Sequence, residues 1–401
     1  MEPSFRYPTA SLKPRREESL RGGHLWIFSG ALQQPPHWIQ AGGLVDVKSA
    51  TGRFVARGYY NPHTDIAIRI LTHDIEEDID AEFLRQRIRG AVELRQVFDP
   101  AYTNVYRLIH SEGDGLPGLI VDRYEDILVA QIDTAGMERL RPLLIDALMS
   151  ETGASGLLFR NEGSSRQREG LEVEEPQLAA GEVPWQKTVR ENGVQFLVDV
   201  WHGQKTGFFI DQRDKRAAMR KYTPGKRVLN CFSYTGGFSV YAALTSNKTF
   251  VTSVDISEPA IELARQQFTL NGLHPDAHRF LIADVFDYLE QAQRDGEEFD
   301  VVVLDPPAFA RTHSVRTQAL KAYRRLNTLA MQVLRPGGIL LSCSCSGVVA
   351  MDDLLGVLSQ ASQRLDRSVQ LLETYTHGVD HPINLAMPET AYLKAIFCRV
   401  G

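Results

Sequence analysis

Two runs in this chain end in groups able to do chemistry. Val301-Val-Val-Leu-Asp305-Pro306-Pro307 is apolar and β-branched, and it stops at a carboxylate followed by two prolines. The run predicts a buried strand, and the prolines end it. Ile339-Leu-Leu-Ser-Cys343-Ser-Cys345-Ser-Gly347 predicts a second strand that ends in thiols. In an open α/β sheet, ligands bind outside the carboxyl ends of the strands. Both runs therefore deliver reactive groups to one edge. Asp305 is biased toward an extended backbone by the proline after it, and its carboxylate can hydrogen-bond the polar edge of a planar base. Cys343 and Cys345 share a face if their strand persists. A thiolate there can add to C6 of a pyrimidine and make C5 nucleophilic enough to take a methyl group. Loss of the C5 proton and release of the thiol then finish the turnover. The competing readings are two small buried hydrophobes and a rigid turn.

The elements that must position these groups lie in residues 191–401. Strand-like runs at 227–230, 250–255, 279–282, 301–304 and 339–342 alternate with helical patterns, which predicts a mostly parallel sheet. After the first run comes Asn230-Cys-Phe-Ser-Tyr-Thr-Gly236-Gly237. Two glycines at a strand-to-helix turn let a cofactor approach the backbone. The turn lacks the Gly-x-Gly-x-x-Gly pattern, so a nicotinamide enzyme is disfavoured. Asp255 ends the second run, where an acid binds a ribose diol. Asp284 follows the third and can accept from an adenine amino group. Acids at successive strand ends fit S-adenosylmethionine better than NAD.

Upstream, residues 1–73 predict a small β-rich domain built on short strands such as Phe54–Tyr60. Lys13, Arg15, Arg16, Arg21, Arg53 and Arg57 lie near Trp26, Phe28, Tyr59 and Tyr60 in the sequence. Cations neutralise phosphates and rings stack on bases, so this mixture suits RNA, with a solvated face over core aromatics as the alternative. Residues 74–190 read as a connecting helix and a second α/β piece, in which 163–186 is loop. The acids at 74–80 and the arginines that follow suit a helix dipole.

The 401 residues exceed one ordinary domain, and 43% hydrophobic with 23% charged residues is normal for a soluble chain. The start, Met1-Glu-Pro-Ser-Phe-Arg, has no apolar core of signal-peptide length. Cys231, Cys343, Cys345 and Cys398 match no metal-ligand spacing and fit a reducing compartment. The expectation is a cytoplasmic protein without a metal. A net charge of -6 leaves room for a local basic face.

Gln204-Lys-Thr-Gly-Phe-Phe-Ile-Asp-Gln-Arg213, the Asn230–Gly237 turn, Asp305-Pro-Pro and Ser344-Cys-Ser-Gly347 together resemble the bacterial large-subunit rRNA methyltransferase I family over nearly the whole chain. That family makes 5-methylcytosine in 23S rRNA from S-adenosylmethionine. The resemblance implies an N-terminal PUA domain (1–73), a central α/β domain (74–190) and a C-terminal Rossmann-like class I methyltransferase domain (191–401). It implies Cys345 as the nucleophile, Asp305 beside the target base, and Asp255 and Asp284 as ribose and adenine contacts. It places Lys205, Phe209, Asp211, Asn230, Phe232 and Tyr234 around the cofactor, and it implies a homodimer acting on 23S rRNA or a large-subunit assembly intermediate. Two departures stand out: Ala308 occupies a position where some relatives have lysine, and Cys343 is an extra thiol. The rival readings are an exocyclic N-methyltransferase that uses Asp-Pro-Pro without a cysteine, and a non-catalytic rRNA-binding assembly factor.

Overall fold

The computed structural model describes residues 5–34, 36, 38–310 and 312–401, so the opening Met1–Ser4 lies outside it. The chain divides into two compact units. The first comprises Met1–Val189, Val198–Ile210 and Val379–Thr390, and the second Arg190–Leu197, Asp211–Gly378 and Ala391–Gly401.

In the first unit, one five-stranded sheet runs in the order Thr9–Ser11, Gly43–Lys48, Phe54–Tyr60, Ile66–Thr72, Trp26–Phe28. A second runs Gln177–Gly181, Gly156–Phe159, Ile127–Ile132, Leu119–Tyr124, Val105–His110. The helices Ala81–Leu94 and Ala135–Thr152 share a core with the second sheet and with Tyr59 and Leu71 of the first. The Tyr59 hydroxyl donates to the Pro117 carbonyl at 2.7 Å. A Cβ on Gly136 would fall 2.0 Å from the Tyr59 ring, so only glycine admits that ring there. The β-rich segment and the α/β segment thus close one continuous interior.

Two expectations change here. Arg57, Tyr59 and Tyr60 are buried, so they cannot form a basic, aromatic RNA face. Arg57 stands opposite Asp46 in the sheet register, and its Nε donates to the Asp46 carboxylate at 2.7 Å. The residues between 163 and 186 are not all loop. They hold a short helix, Ser164–Arg168, and the edge strand Gln177–Gly181. Arg166 fixes the helix by donating to the Ile132 carbonyl at 2.6 Å. The edge strand, Gln-Leu-Ala-Ala-Gly, is short, built mostly of small residues and partly exposed, so it gives no apolar alternation.

The second unit holds a seven-stranded sheet: β1 (Arg227–Cys231), β2 (Phe250–Asp255), β3 (Arg279–Ile282), β4 (Phe299–Leu304), β5 (Leu334–Ser344), β6 (Val369–Tyr375) and β7 (Lys394–Val400). Their spatial order is 3-2-1-4-5-7-6. The first five strands are parallel, and β7 lies antiparallel between β5 and β6. The helices are α1 (Arg213–Met219), α2 (Gly237–Ala243), α3 (Glu258–Leu270), α4 (Val285–Arg294), α5 (Arg316–Gln332) and α6 (Met351–Arg364). The middle residues of β4, Val301 to Leu304, are almost wholly buried, as a strand covered on both faces must be. α4 shows how a helix seats itself: Val285, Leu289 and Ala292 face the core, and Asp284 caps its N-terminus. Its core is shared with α5, α6 and the central strands. The order reverses between β1 and β4, and in such folds that crevice receives the ligand. No helix among the described residues is long and apolar enough to cross a membrane.

Candidate active site

β4 and β5 are neighbours in register, with Leu304 opposite Ser342, so their exits lie side by side. Asp305 is half-buried, and its Oδ1 accepts from the Gln212 side-chain amide at 2.7 Å. Cys343 is fully buried inside β5, and burial pushes its thiol well above the ordinary range. β5 ends at Ser344, so Cys345 lies beyond the strand. The expected common face of the two cysteines therefore does not form. Instead the turn separates them into a buried thiol and a half-exposed one. Cys345 Sγ lies 3.9 Å from the Pro306 carbonyl oxygen, directly beside the Asp305 turn.

The flanks of Cys345 are held firmly. Ser344 Oγ donates to the Tyr323 hydroxyl at 2.9 Å, and that hydroxyl lies 3.2 Å from Ser346 Oγ. Lys394 Nζ donates to the Ser346 carbonyl at 2.7 Å. The thiol therefore sits on a fixed turn, as a nucleophile requires.

The β1–α2 turn forms the second part of the site. Phe232, Tyr234 and Gly236 all have positive φ, at 56°, 46° and 78°. Two non-glycine residues in that region store strain, which persists only where the surroundings enforce it. Asp255 does so: its Oδ2 accepts from the Tyr234 amide at 2.8 Å and its Oδ1 from the Ser257 amide at 3.0 Å. A Cβ on Gly236 would lie 2.9 Å from Ala264 Cβ. Asn230 is buried and donates to Ser239 Oγ at 2.9 Å, while its Oδ1 has no partner. Ile256, just past β2, and Ile282, the last residue of β3, are 72% and 54% exposed. An unmatched buried acceptor, a glycine cradle, strand-end acids and two exposed aliphatic faces suit a nucleoside: polar contacts for a ribose and an apolar slot for a purine.

Asp284 is also an N-cap, accepting through Oδ1 from the Phe286 and Asp287 amides at 2.8 and 3.2 Å. Asp211 is buried, and its Oδ2 accepts from the Tyr392 hydroxyl at 2.7 Å. Within the second unit the sheet edge thus gathers Asn230, Phe232, Tyr234, Gly236, Asp255, Asp284, Asp305 and Cys345. Lys205 and Phe209 belong to the first unit, where the Lys205 ammonium lies 4.4 Å from the Phe209 ring centre. Their neighbour Thr206 is buried and donates to the Asp122 carboxylate, so part of that motif braces the fold.

Sequence reading missed Gln212, Tyr323, Ile256 and Lys394. Gln212 was visible in the quoted motif. The exposure of Ile256 follows from its place after a strand-end acid. Tyr323 and Lys394 act through tertiary pairings that no local pattern announces.

A family model for S-adenosylmethionine-dependent methyltransferases matches residues 176–398, and one for a PUA-like domain matches residues 11–73. The ribosomal RNA large subunit methyltransferase I of Serratia proteamaculans (strain 568) is 40% identical over 386 residues, covering 96% of this chain and 97% of that protein. The protein of the same name from Yersinia pestis bv. Antiqua (strain Angola) matches with the same identity and coverage. A solved structure assigned as a SAM-dependent methyltransferase from Streptococcus mutans superposes with a TM-score of 0.84 at 22% identity, covering 98% of this chain and 100% of that one. A further structure assigned as a methyltransferase, complexed with SAH, gives 0.85 at 22% identity with the same coverage. These two establish the fold.

Proposed function

The chain belongs to the S-adenosylmethionine-dependent ribosomal RNA large subunit methyltransferase I family, and from that premise we propose that it methylates C5 of a cytosine in 23S rRNA through a covalent bond from Cys345 to C6. The observation that carries this reading is the half-exposed Cys345 thiol 3.9 Å from the Pro306 carbonyl, on the turn beside Asp305.

The residues divide the work. Cys345 Sγ, as thiolate, bonds to C6 and pushes electron density to C5. Asp305, held by the Gln212 amide, hydrogen-bonds the N3–N4 edge of the base as charge develops there. The Asn230, Gly236, Asp255, Ile256 and Asp284 cradle orients the cofactor against C5. When bound, S-adenosylmethionine supplies the electrophilic methyl group. The C5 proton is then lost to water, the C5–H electron pair re-forms the C5–C6 double bond, and Sγ departs as thiolate. Cys343 is a poor competitor because burial keeps its thiol protonated. Rings and cations for the RNA remain in the N-terminal segment: Arg16 with Trp26 and Phe28 along one cleft, and Arg21 with Arg53 along another.

Methylation of unmodified 23S rRNA, followed by digestion and nucleoside analysis, tests the reading. The wild type yields 5-methylcytidine and Cys345→Ala yields none. A methylated exocyclic amine, or full activity of Cys345→Ala, overturns it.

A further inference from the structure

Lys394 is a lysine buried to 6% exposure at the first position of β7. In the register of the sheet it stands opposite Ser344, the last residue of β5. Its Nζ donates to the Ser346 carbonyl at 2.7 Å and to the Tyr392 carbonyl at 2.8 Å. The residue before Cys345 is thus its cross-strand partner, and the residue after Cys345 is its hydrogen-bond acceptor. Lysine is rarely buried unless a negative charge or a function retains it.

The negative groups that act on this ammonium are Cys345 and Asp353. Asp353 on α6 is already engaged, by Arg316 of α5 at 2.5 Å and by the Ala350 amide at 2.8 Å. Asp353 therefore shares its charge between Arg316 and Lys394, and the thiolate of Cys345 is the other counter-charge to the ammonium. The other charged or titratable groups around the turn are Tyr323 on α5, Cys343 on β5 and Asp305 after β4, with Lys215 and Asp211 acting on Cys343 and Arg316 donating to the Val348 carbonyl at 3.1 Å.

We propose that Lys394 is a positioning residue for the methyl-transfer reaction: its ammonium clamps the Cys345 turn through the Ser346 carbonyl and stabilises the Cys345 thiolate electrostatically. This rests on the reading of Cys345 as the nucleophile. The thiol proton leaves to solvent and no bond to Lys394 changes. Desolvation moves the Lys394 amine down to about 8, against the opposing pull of Cys345 and Asp353. The clamp charge is therefore present at neutral pH and fades above about 8.

The test is the pH dependence of Cys345 alkylation by iodoacetamide in the full chain, read by mass spectrometry of the Cys345 peptide. Lys394→Gln keeps hydrogen-bond donors and removes the charge, Lys394→Met removes both, and Lys394→Arg restores a cation. The Gln variant is expected to shift the alkylation midpoint up by about one unit, which is about tenfold slower modification at pH 7, with partial recovery in the Arg variant. A Gln profile that superimposes on wild type, or falls by one factor at every pH, overturns the proposal. If the Met variant does not fold, Gln and Arg still decide. The nucleoside assay on the wild type separates the two claims: absence of 5-methylcytidine removes the nucleophile reading, while the alkylation profile still judges the lysine–thiol pair.

Discussion

The two units bury charge for opposite ends. In the first, buried arginines are matched to buried carboxylates: Arg57 to Asp46 at 2.7 Å, Arg95 to Asp114 at 2.6 Å and Arg107 to Asp122 at 2.6 Å. Each pair is bidentate or is supplemented by backbone carbonyls, and Thr206 adds a further donor to Asp122. The second unit holds such a pair as well, Arg216 with Glu191 at 2.6 Å. The groups at the strand exits are matched differently: Asp305 accepts from the Gln212 amide, Asn230 keeps an unmatched oxygen, and Lys394 rests on carbonyls. Buried polar groups that close on each other hold a shape. A buried acceptor left unmatched, as in Asn230, has capacity for a ligand.

The sharpest way to break this contrast is Cys345→Ala. It is expected to lower methyl transfer by about a thousandfold or more, as loss of a nucleophile does, without moving the thermal unfolding midpoint. Kinetics and melting curves on the same preparation check both halves. Next is Asp122→Asn, which removes the carboxylate charge that the buried Arg107 guanidinium grips at 2.6 Å. It is expected to cost about 3–5 kcal/mol of stability in the first unit, measured by urea unfolding. Gly236→Ala comes third: a β-carbon at φ 78°, 2.9 Å from Ala264 Cβ, is expected to cost about 1–3 kcal/mol. The cost should appear in S-adenosylmethionine affinity by calorimetry as well as in melting. Smallest is Asp276→Ala, which removes the exposed Arg265–Asp276 pair. It should leave both activity and the unfolding midpoint at wild-type values.

The same contrast explains what the sequence could reveal. The parallel sheet was legible because each strand from β1 to β5 is a short apolar run bounded by glycine, proline or an acid. Asp255 and Asp305 were legible because strand ends are readable and the fold dictates which edge they reach. Arg57 and Tyr59 were misread because the strand Phe54–Tyr60 is buried on both faces, and the mate of Arg57, Asp46, is fixed by register rather than by spacing. The cysteines were expected on one face only while their strand lasted, and it ends at Ser344, between them, an end that no local pattern marks. Lys394 was invisible for the same reason, since only the antiparallel return of β7 along β5 brings it to the turn.

Covalent trapping tests the central claim most directly. The protein is incubated with S-adenosylmethionine and 23S rRNA carrying 5-fluorocytosine, then denatured. Fluorine at C5 blocks proton loss, so an attacking cysteine stays attached. An adduct formed by wild type and by Cys343→Ala, and absent from Cys345→Ala, is the predicted result. No adduct from a protein that still methylates ordinary 23S rRNA, or an adduct that survives Cys345→Ala, would contradict it.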